Sequence, residues 1–188
     1  MIIPIIAYGT PVLKKKAKEI SPEYLNLKQL IDDMFDTMYE ASGVGLAAPQ
    51  IGKSIRLFIV DASPFADEDS DAEGFRKVFI NPEILEEEGV RCEFNEGCLS
   101  IPSIRENVFR QKKILIRYQD EHFNTFEEEY DGIKARIIQH EYDHVEGVLF
   151  TDHLSVIKKR LLRSKLNDIA KGKVRVDYRM KFPLKKGR

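Results

Sequence analysis

The sequence contains no apolar run that approaches the roughly 18 residues needed to cross a bilayer as a helix. Its start, MIIPIIAYGTPVLKKK, places the positive charges after a short apolar run, which is the reverse of the order in a secretory signal peptide. Only two cysteines are present, Cys92 and Cys98, and nothing indicates export that would pair them. We therefore expect a cytoplasmic protein with reduced thiols and no membrane partner.

Acidic residues are scarce near the C-terminus. Residues 154–188 hold 13 lysines and arginines against only Asp168 and Asp177, a net charge of +11, whereas residues 1–153 carry −12. A basic end on an acidic body indicates contact with a polyanion or an acidic surface, although a solvated helix face would explain the charge equally well. The remaining composition, 43% hydrophobic and 32% charged over 188 residues, is ordinary for one globular domain.

Apolar spacing predicts the secondary structure. Leucine, isoleucine and methionine at helical spacing predict a helix over residues 26–41 with Asn26 as its N-cap. SIRLFIVD and KVFINPEIL are typical of strands, and residues 62–74 between them predict an exposed acidic loop. A further strand should end at Pro102.

The C-terminal half completes the expected fold class. Two strands are predicted on either side of a turn at residues 122–124, followed by helices over residues 132–145 and 154–170. Strands in the middle with helices at both ends predict an α+β fold, with a mixed or antiparallel sheet and a C-terminal helix.

The chain has only four histidines, and two of them stand four apart in IIQHEYDHVEGVLF, residues 137–150. On a helix, His140 and His144 would present both imidazoles to one divalent ion, with Glu141 close to a water on that ion. Ile133 and Ile137 fall on the same helical stripe, so the imidazoles should point inward. The alternative is a pair of hydrogen-bonded core histidines without a metal.

The third metal ligand cannot be a later glutamate, because no glutamate follows Glu146. A thiolate binds zinc-like and iron-like ions strongly, which makes Cys98 and Cys92 the natural candidates. Composition favours Cys98 only mildly, since Gly97 allows a close approach, and we expect Cys92 to be a small buried hydrophobic residue. Other candidates for the third ligand are His153 and a late aspartate, with His122 as a weaker one.

Three segments in this order resemble the signatures of the peptide deformylases: GVGLAAPQIG (43–52), EGCLSIP (96–102) and QHEYDHVEG (139–147). The resemblance implies a sheet packed around the helix that bears the two histidines. It implies metal ligands Cys98, His140 and His144, a catalytic Glu141, and a formyl-oxygen site formed by Gln50 and the backbone N–H of Leu99. The implied cofactor is one divalent ion, Fe(II) in the native enzyme, with zinc, nickel or cobalt possible in purified protein.

The activity implied by the resemblance is metal-dependent hydrolysis of the N-formyl group from the formyl-methionine of new polypeptides, with release of formate. The chemistry agrees, because a metal lowers the pKa of a water, a glutamate can accept the proton, and fixed donors can stabilise an oxyanion. The expected substrate-binding residues are Gly43, Val44, Gly45, Phe94, Gly97, Ile133 and Ile137, and the resemblance implies that Arg105 contacts the peptide backbone. Arg136 should reach the rim of the pocket, and Glu96 and Arg110 are implied as a supporting ion pair.

These inferences define one deformylase-like catalytic domain over residues 1–170 and a basic tail over residues 171–188. The expected partners are formyl-methionyl nascent chains and, through basic residues 158–188, the ribosome surface, with no DNA. Two other functions remain open on the motif alone. A metallopeptidase would use the same water activation, and a structural metal domain would add Cys92 as a fourth ligand.

Overall fold

The computed structural model describes residues 1–183 of the chain. The helices are α1 (Leu27–Glu40), α2 (Gly132–Glu146) and α3 (Val156–Ala170). The strands are β1 (Ile5–Ile6), β2 (Gly45–Ala47), β3 (Leu57–Asp61), β4 (Arg76–Cys98), β5 (Ile101–Gln119), β6 (Thr125–Asp131) and β7 (Met180–Lys181). The predicted α+β class is confirmed, with short 3₁₀ turns connecting several of these elements.

The main sheet has five antiparallel strands in the order β2-β3-β4-β5-β6. Its longest pair, β4 with β5, contains register shifts, for example between Ile80 and Glu83 and between Gly97 and Cys98. Such irregularities let a strand bend without ending. For this reason the two strands predicted before Pro102 form one long strand, and Pro102 lies near the start of β5 rather than at a strand end.

Strand β3 separates two apolar layers. Leu57 and Ile59 pack in the cluster formed with α1, whereas Phe58 and Val60 pack in the cluster formed with α2. Successive side chains of a strand point to opposite faces, so a continuous apolar strand of this kind must be covered on both sides. The helix with the two histidines is thereby held against one face of the sheet and α1 against the other.

The N-terminal strand lies beside the tail, within residues 171–183. Helix α3 buries Leu162, Leu166 and Ile169 against a third apolar cluster, and β7 then pairs in parallel with β1. Within residues 171–183 the tail therefore packs on the N-terminal segment. Among residues 1–183, no helix is both long and apolar enough to cross a membrane.

Asn26 occupies the predicted N-cap position of α1, with a left-handed backbone, φ of 58°, and no capping hydrogen bond from its side chain. One local expectation was wrong. The acidic loop at residues 62–74 is only partly exposed, because Ala62 and Ala72 are fully buried and Phe65 packs against the cluster under α2. Ala62, Phe65 and Ala72 thus fold inward, while four of the five carboxylates of the loop are exposed.

Gly147 ends α2 at a position where no other residue fits well. Its φ of +76° is left-handed, and a Cβ there would lie 2.9 Å from backbone atoms of Lys14 and Lys15. We expect Gly147→Ala to lower the free energy of unfolding by roughly 2–4 kcal/mol, because strain and backbone overlap add. Urea unfolding followed by circular dichroism measures the change.

Gly74→Ala is the matched control. Gly74 also has a positive φ, +68°, but a Cβ there would meet no atom within 4 Å. Only the conformational cost, about 1 kcal/mol, is expected. Equal destabilisation by the two substitutions would show that the contact between Gly147 and residues 14–15 is unimportant.

Candidate active site

Three potential metal ligands meet where the end of β4 faces α2. One ligand atom each from Cys98, His140 and His144 lies within 4.8 Å of the others. The Cys98 Sγ is 3.3 Å from the His144 Nε2, and the two imidazole centroids are 5.2 Å apart, as expected for residues one helical turn apart. The structure therefore brings the predicted ligands together.

Cys92 lies outside this group. Its side chain is exposed on β4, and its thiol is 3.5 Å from the Val90 carbonyl oxygen. The expectation that Cys92 is buried was wrong, because the outer part of the β4–β5 pair extends beyond the core. Among the residues that the structure describes, no fourth protein ligand joins Cys98 and the two histidines, which argues against a closed structural metal site.

A buried carboxylate, Glu96, orients the first histidine. The Glu96 Oε2 is 2.9 Å from the His140 Nδ1, so the Nε2 faces Cys98. Arg110 donates two hydrogen bonds to the same carboxylate, at 2.7 and 3.0 Å, and Arg136 donates another at 2.9 Å. Burial raises the pKa of Glu96. The hydrogen bonds from His140 and Arg110 lower it by more than burial raises it, so the pKa lies well below its usual range.

Arg136 is one of the residues around the cavity, but the prediction that its side chain extends to the rim was wrong. It is buried, and besides Glu96 it bonds the backbone carbonyl oxygens of Val108 and Cys92. Its guanidinium also lies 5.6 Å from the centroid of the Phe94 ring. The carboxylate of Glu96 supplies the partner that makes a buried arginine tolerable.

The three ligand side chains shift one another's pKa values. Burial raises the pKa of the Cys98 thiol, but His144 and His140 lower it more, to about 5. For His140, burial lowers the pKa, whereas the contacts with Cys98 and Glu96 raise it to about 10. A thiolate with two imidazoles is a donor set that suits zinc-like and iron-like divalent ions, and the residues therefore fit such an ion.

Glu141 supplies a carboxylate beside these ligands. It is buried, and within residues 1–183 its Oε2 has no hydrogen-bond partner. Burial raises its pKa to about 7. Gly45 leaves room for it, because a Cβ at Gly45 would lie 2.5 Å from the Glu141 Oε1.

Gln50 presents a preset hydrogen-bond donor. Its side-chain oxygen accepts from the Ala47 N–H at 2.7 Å, which fixes the orientation of the amide. The Nε2 group then points toward Cys98 and is 3.6 Å from the Sγ. Gln50 is fully buried, so its donor direction does not depend on solvent.

A cavity of about 650 Å³ opens in front of these groups. All of the predicted substrate-binding residues lie around it: Gly43, Val44, Gly45, Phe94, Gly97, Arg105, Ile133 and Ile137. Leu99, Gln50, His140 and Glu141 line the same cavity. Arg105 is held by hydrogen bonds to the side chain and the backbone of Asn95.

The sequence did not predict two contributors to the cavity wall. Phe65 reaches it from the acidic loop, and residues 175–178 reach it from the tail. Tyr178 donates a hydrogen bond to the Leu99 carbonyl oxygen at 2.8 Å, and burial with the nearby Cys98 raises its pKa to about 12. The only feature of the sequence that could have indicated these contributions is the aromatic residue within each polar segment, Phe65 in the acidic loop and Tyr178 in the tail.

Comparisons with known proteins agree on one family. The family model described as polypeptide deformylase matches residues 2–160. The peptide deformylase of Christiangramia forsetii is 58% identical over 190 residues, with 97% of each chain covered. That of Flavobacterium psychrophilum is 55% identical over 193 residues, covering 99% of this chain and 100% of the relative.

Solved structures show the same likeness. A crystal structure of a peptide deformylase from Legionella pneumophila has a TM-score of 0.80 at 39% identity, covering 93% of this chain and 99% of that one. A Plasmodium falciparum peptide deformylase in complex with an inhibitor has a TM-score of 0.77 at 35% identity, covering 89% and 99%.

The ligand arrangement predicts how metal content responds to cysteine substitution. Cys98→Ser should lose most of the bound ion, because a neutral hydroxyl replaces a thiolate in a three-residue donor set. Cys92→Ser should keep the wild-type amount, since Cys92 is exposed and outside the group. Elemental analysis of the purified variants measures both. Loss of the ion in Cys92→Ser with retention in Cys98→Ser would reverse the assignment.

Proposed function

The chain belongs to the polypeptide deformylase family, and we propose how its own residues carry out the family's reaction. That reaction is the metal-dependent hydrolysis of the N-formyl group from the formyl-methionine of newly synthesised polypeptides, which releases formate. The observation that carries the proposal is the unpartnered Glu141 carboxylate oxygen beside the Cys98, His140 and His144 ligand atoms.

Cys98, His140 and His144 would hold one divalent ion, natively Fe(II), as the thiolate and imidazole donors and the family suggest. When bound, the ion lowers the pKa of a water molecule towards neutrality and polarises the formyl oxygen. Glu96 keeps His140 in the tautomer that turns its Nε2 to the ion.

Glu141 acts as the general base and acid. Its free Oε2 accepts the proton of the attacking water and later returns it to the leaving amine of methionine. The Gln50 Nε2 group and the Leu99 N–H donate hydrogen bonds to the formyl oxygen as negative charge develops on it. Removing a preset donor of this kind typically slows turnover by about 10²–10³-fold.

The peptide would lie along an open sheet edge. Strand β2 is an outer strand of the main sheet, and Gly43, Val44 and Gly45 run along the cavity there. An extended peptide can add to such an edge through backbone hydrogen bonds, with Gly97 facing it from the other side. Arg105 would bind a carbonyl of the same peptide.

The methionine side chain requires an apolar pocket next to the reacting group. Val44, Phe94, Ile133 and Ile137 line the cavity close to Glu141 and supply that surface. Phe65 adds an aromatic wall from the acidic loop. A pocket of this kind favours an apolar side chain over a charged one.

The second part of the proposal is contact with the ribosome, which would take place in the cytoplasm. Helix α3 buries Leu162 and Leu166, so its exposed basic residues lie on the outer face: Lys159, Arg160, Arg163 and Lys165. Lys158 is less available, because it pairs with Glu106 at 2.8 Å. The basic tail residues Lys185, Lys186 and Arg188 lie outside the described part of the chain.

Substitution of the base tests the mechanism. In protein purified without air, Glu141→Gln should retain wild-type iron and lose turnover by about 10²–10⁴-fold, because an amide cannot accept the proton. Formate release from formyl-Met-Ala-Ser measures turnover, and elemental analysis measures iron. Glu121→Gln, the same change at an exposed turn, is the control. Near wild-type turnover by Glu141→Gln would refute the assigned role.

Charge reversal on α3 tests the ribosome contact. The variant Arg160→Glu, Arg163→Glu, Lys165→Glu should co-sediment with ribosomes more weakly and with a smaller salt dependence, because fewer phosphate contacts release fewer counterions. Turnover of formyl-Met-Ala-Ser should stay within about twofold, since surface substitutions away from the site change little.

The control reverses three exposed lysines elsewhere with the same change in net charge: Lys18, Lys53 and Lys112. It separates a local contact from a general charge effect. Deleting the tail would be a poorer test, because residues 175–178 line the cavity. If the α3 variant and the control pellet alike with ribosomes at every salt concentration, the basic face of α3 is only a solvated surface.

A further inference from the structure

The tail places a tyrosine directly on the backbone next to the cysteine ligand. The Tyr178 hydroxyl donates to the Leu99 carbonyl oxygen at 2.8 Å, and the ring packs in the apolar cluster under α1, as does the Leu99 side chain. Tyr178 also lines the cavity in front of Glu141. It therefore contacts the one main-chain segment that carries a proposed oxyanion donor.

Leu99 has few other restraints on its carbonyl group. Residues 99 and 100 form the turn between β4 and β5, outside the ladder of the two strands. The N–H of Tyr8 holds the next carbonyl oxygen, that of Ser100, at 2.9 Å. Tyr178 and Tyr8 thus fix consecutive carbonyl groups of the turn, one from each end of the chain.

The tail can hold this position because it is itself anchored. The Ile5 N–H donates to the Arg179 carbonyl oxygen and the Ala7 N–H to the Lys181 carbonyl oxygen, both at 2.9 Å. Both bonds are made by residues that follow Tyr178 in the chain. Because backbone hydrogen bonds fix this segment, the Tyr178 hydroxyl can restrain the Leu99 backbone and does not simply move with it.

We propose that Tyr178 is a positioning residue for catalysis, whose hydroxyl holds the Leu99 backbone so that its N–H points at the formyl oxygen. The inference rests on the proposed function, in which the Leu99 N–H stabilises the oxyanion. A donor that is free to rotate loses part of its preorganisation, and with it part of the rate. The tail then belongs to the catalytic unit.

Tyr178→Phe removes the hydroxyl and keeps the ring. We expect kcat on formyl-Met-Ala-Ser to fall about 10-fold, less than the loss of a donor itself would cause. KM and iron content should stay within about twofold of wild type, because the pocket and the ligands are intact. The control is Tyr39→Phe, which removes a hydroxyl that donates to Asp61 at 2.6 Å, outside the catalytic machinery. Its kcat should equal that of wild type.

Steady-state kinetics, elemental analysis and thermal unfolding of the three proteins separate the outcomes. Wild-type formate release is measured first, and its absence would overturn the proposed function itself. With an active wild type, an unchanged kcat in Tyr178→Phe overturns the positioning role. A higher KM at constant kcat also overturns it, as does a loss of iron that accounts for the slower turnover. The role is overturned as well if kcat falls equally in Tyr39→Phe and the two variants show a similar shift of melting temperature.

Discussion

The carboxylate of Glu96 is the group on which the arrangement of the site depends. It lies on β4, two residues before Cys98, and accepts hydrogen bonds from Arg110 on β5 and from Arg136 and His140 on α2. Burying a carboxylate costs several kcal/mol unless its oxygens are fully paired. Three donors from two other elements meet that condition, and in doing so they fix the strand that carries Cys98 relative to the helix that carries the histidines.

Helix α2 is buried on both its apolar and its polar sides, so its polar residues need partners within the protein. Arg136 bonds Glu96, and the Gln139 amide bonds the backbone carbonyls of Gln111 and Ala135. Two buried side-chain atoms of this helix lack a partner in the described part of the chain: the Glu141 Oε2 and the His144 Nδ1. A helix that satisfies its other buried groups and leaves a carboxylate oxygen free beside a metal-binding set is consistent with a general base.

Local patterns predicted the site better than they predicted its surroundings. The spacing of His140 and His144 required only a helix, and the family motifs placed Cys98, so both predictions needed no knowledge of distant contacts. Arg136 was misplaced because its partner, Glu96, is 40 residues away in sequence, and a charged side chain without a known partner is expected at the surface. Cys92 was expected to be buried because sequence does not show where a long strand leaves the core.

The contribution of the chain ends to the site could not be predicted for the same reason. Neither Tyr8 nor Tyr178 belongs to a motif, and residues 171–183 have the composition of a solvated tail. In the structure the N-terminal segment lies between the tail and the turn after Cys98, bonded to both. A division of the chain at residue 170 would therefore separate Cys98 from a segment that is hydrogen-bonded to the next residue, Leu99. The basic charge of the tail and its contact with Leu99 are compatible, because the charged side chains between residues 171 and 181 are exposed while the Tyr178 ring is half-buried. The same short segment thus carries exposed charge and, through Tyr178, a hydrogen bond to the Leu99 carbonyl oxygen.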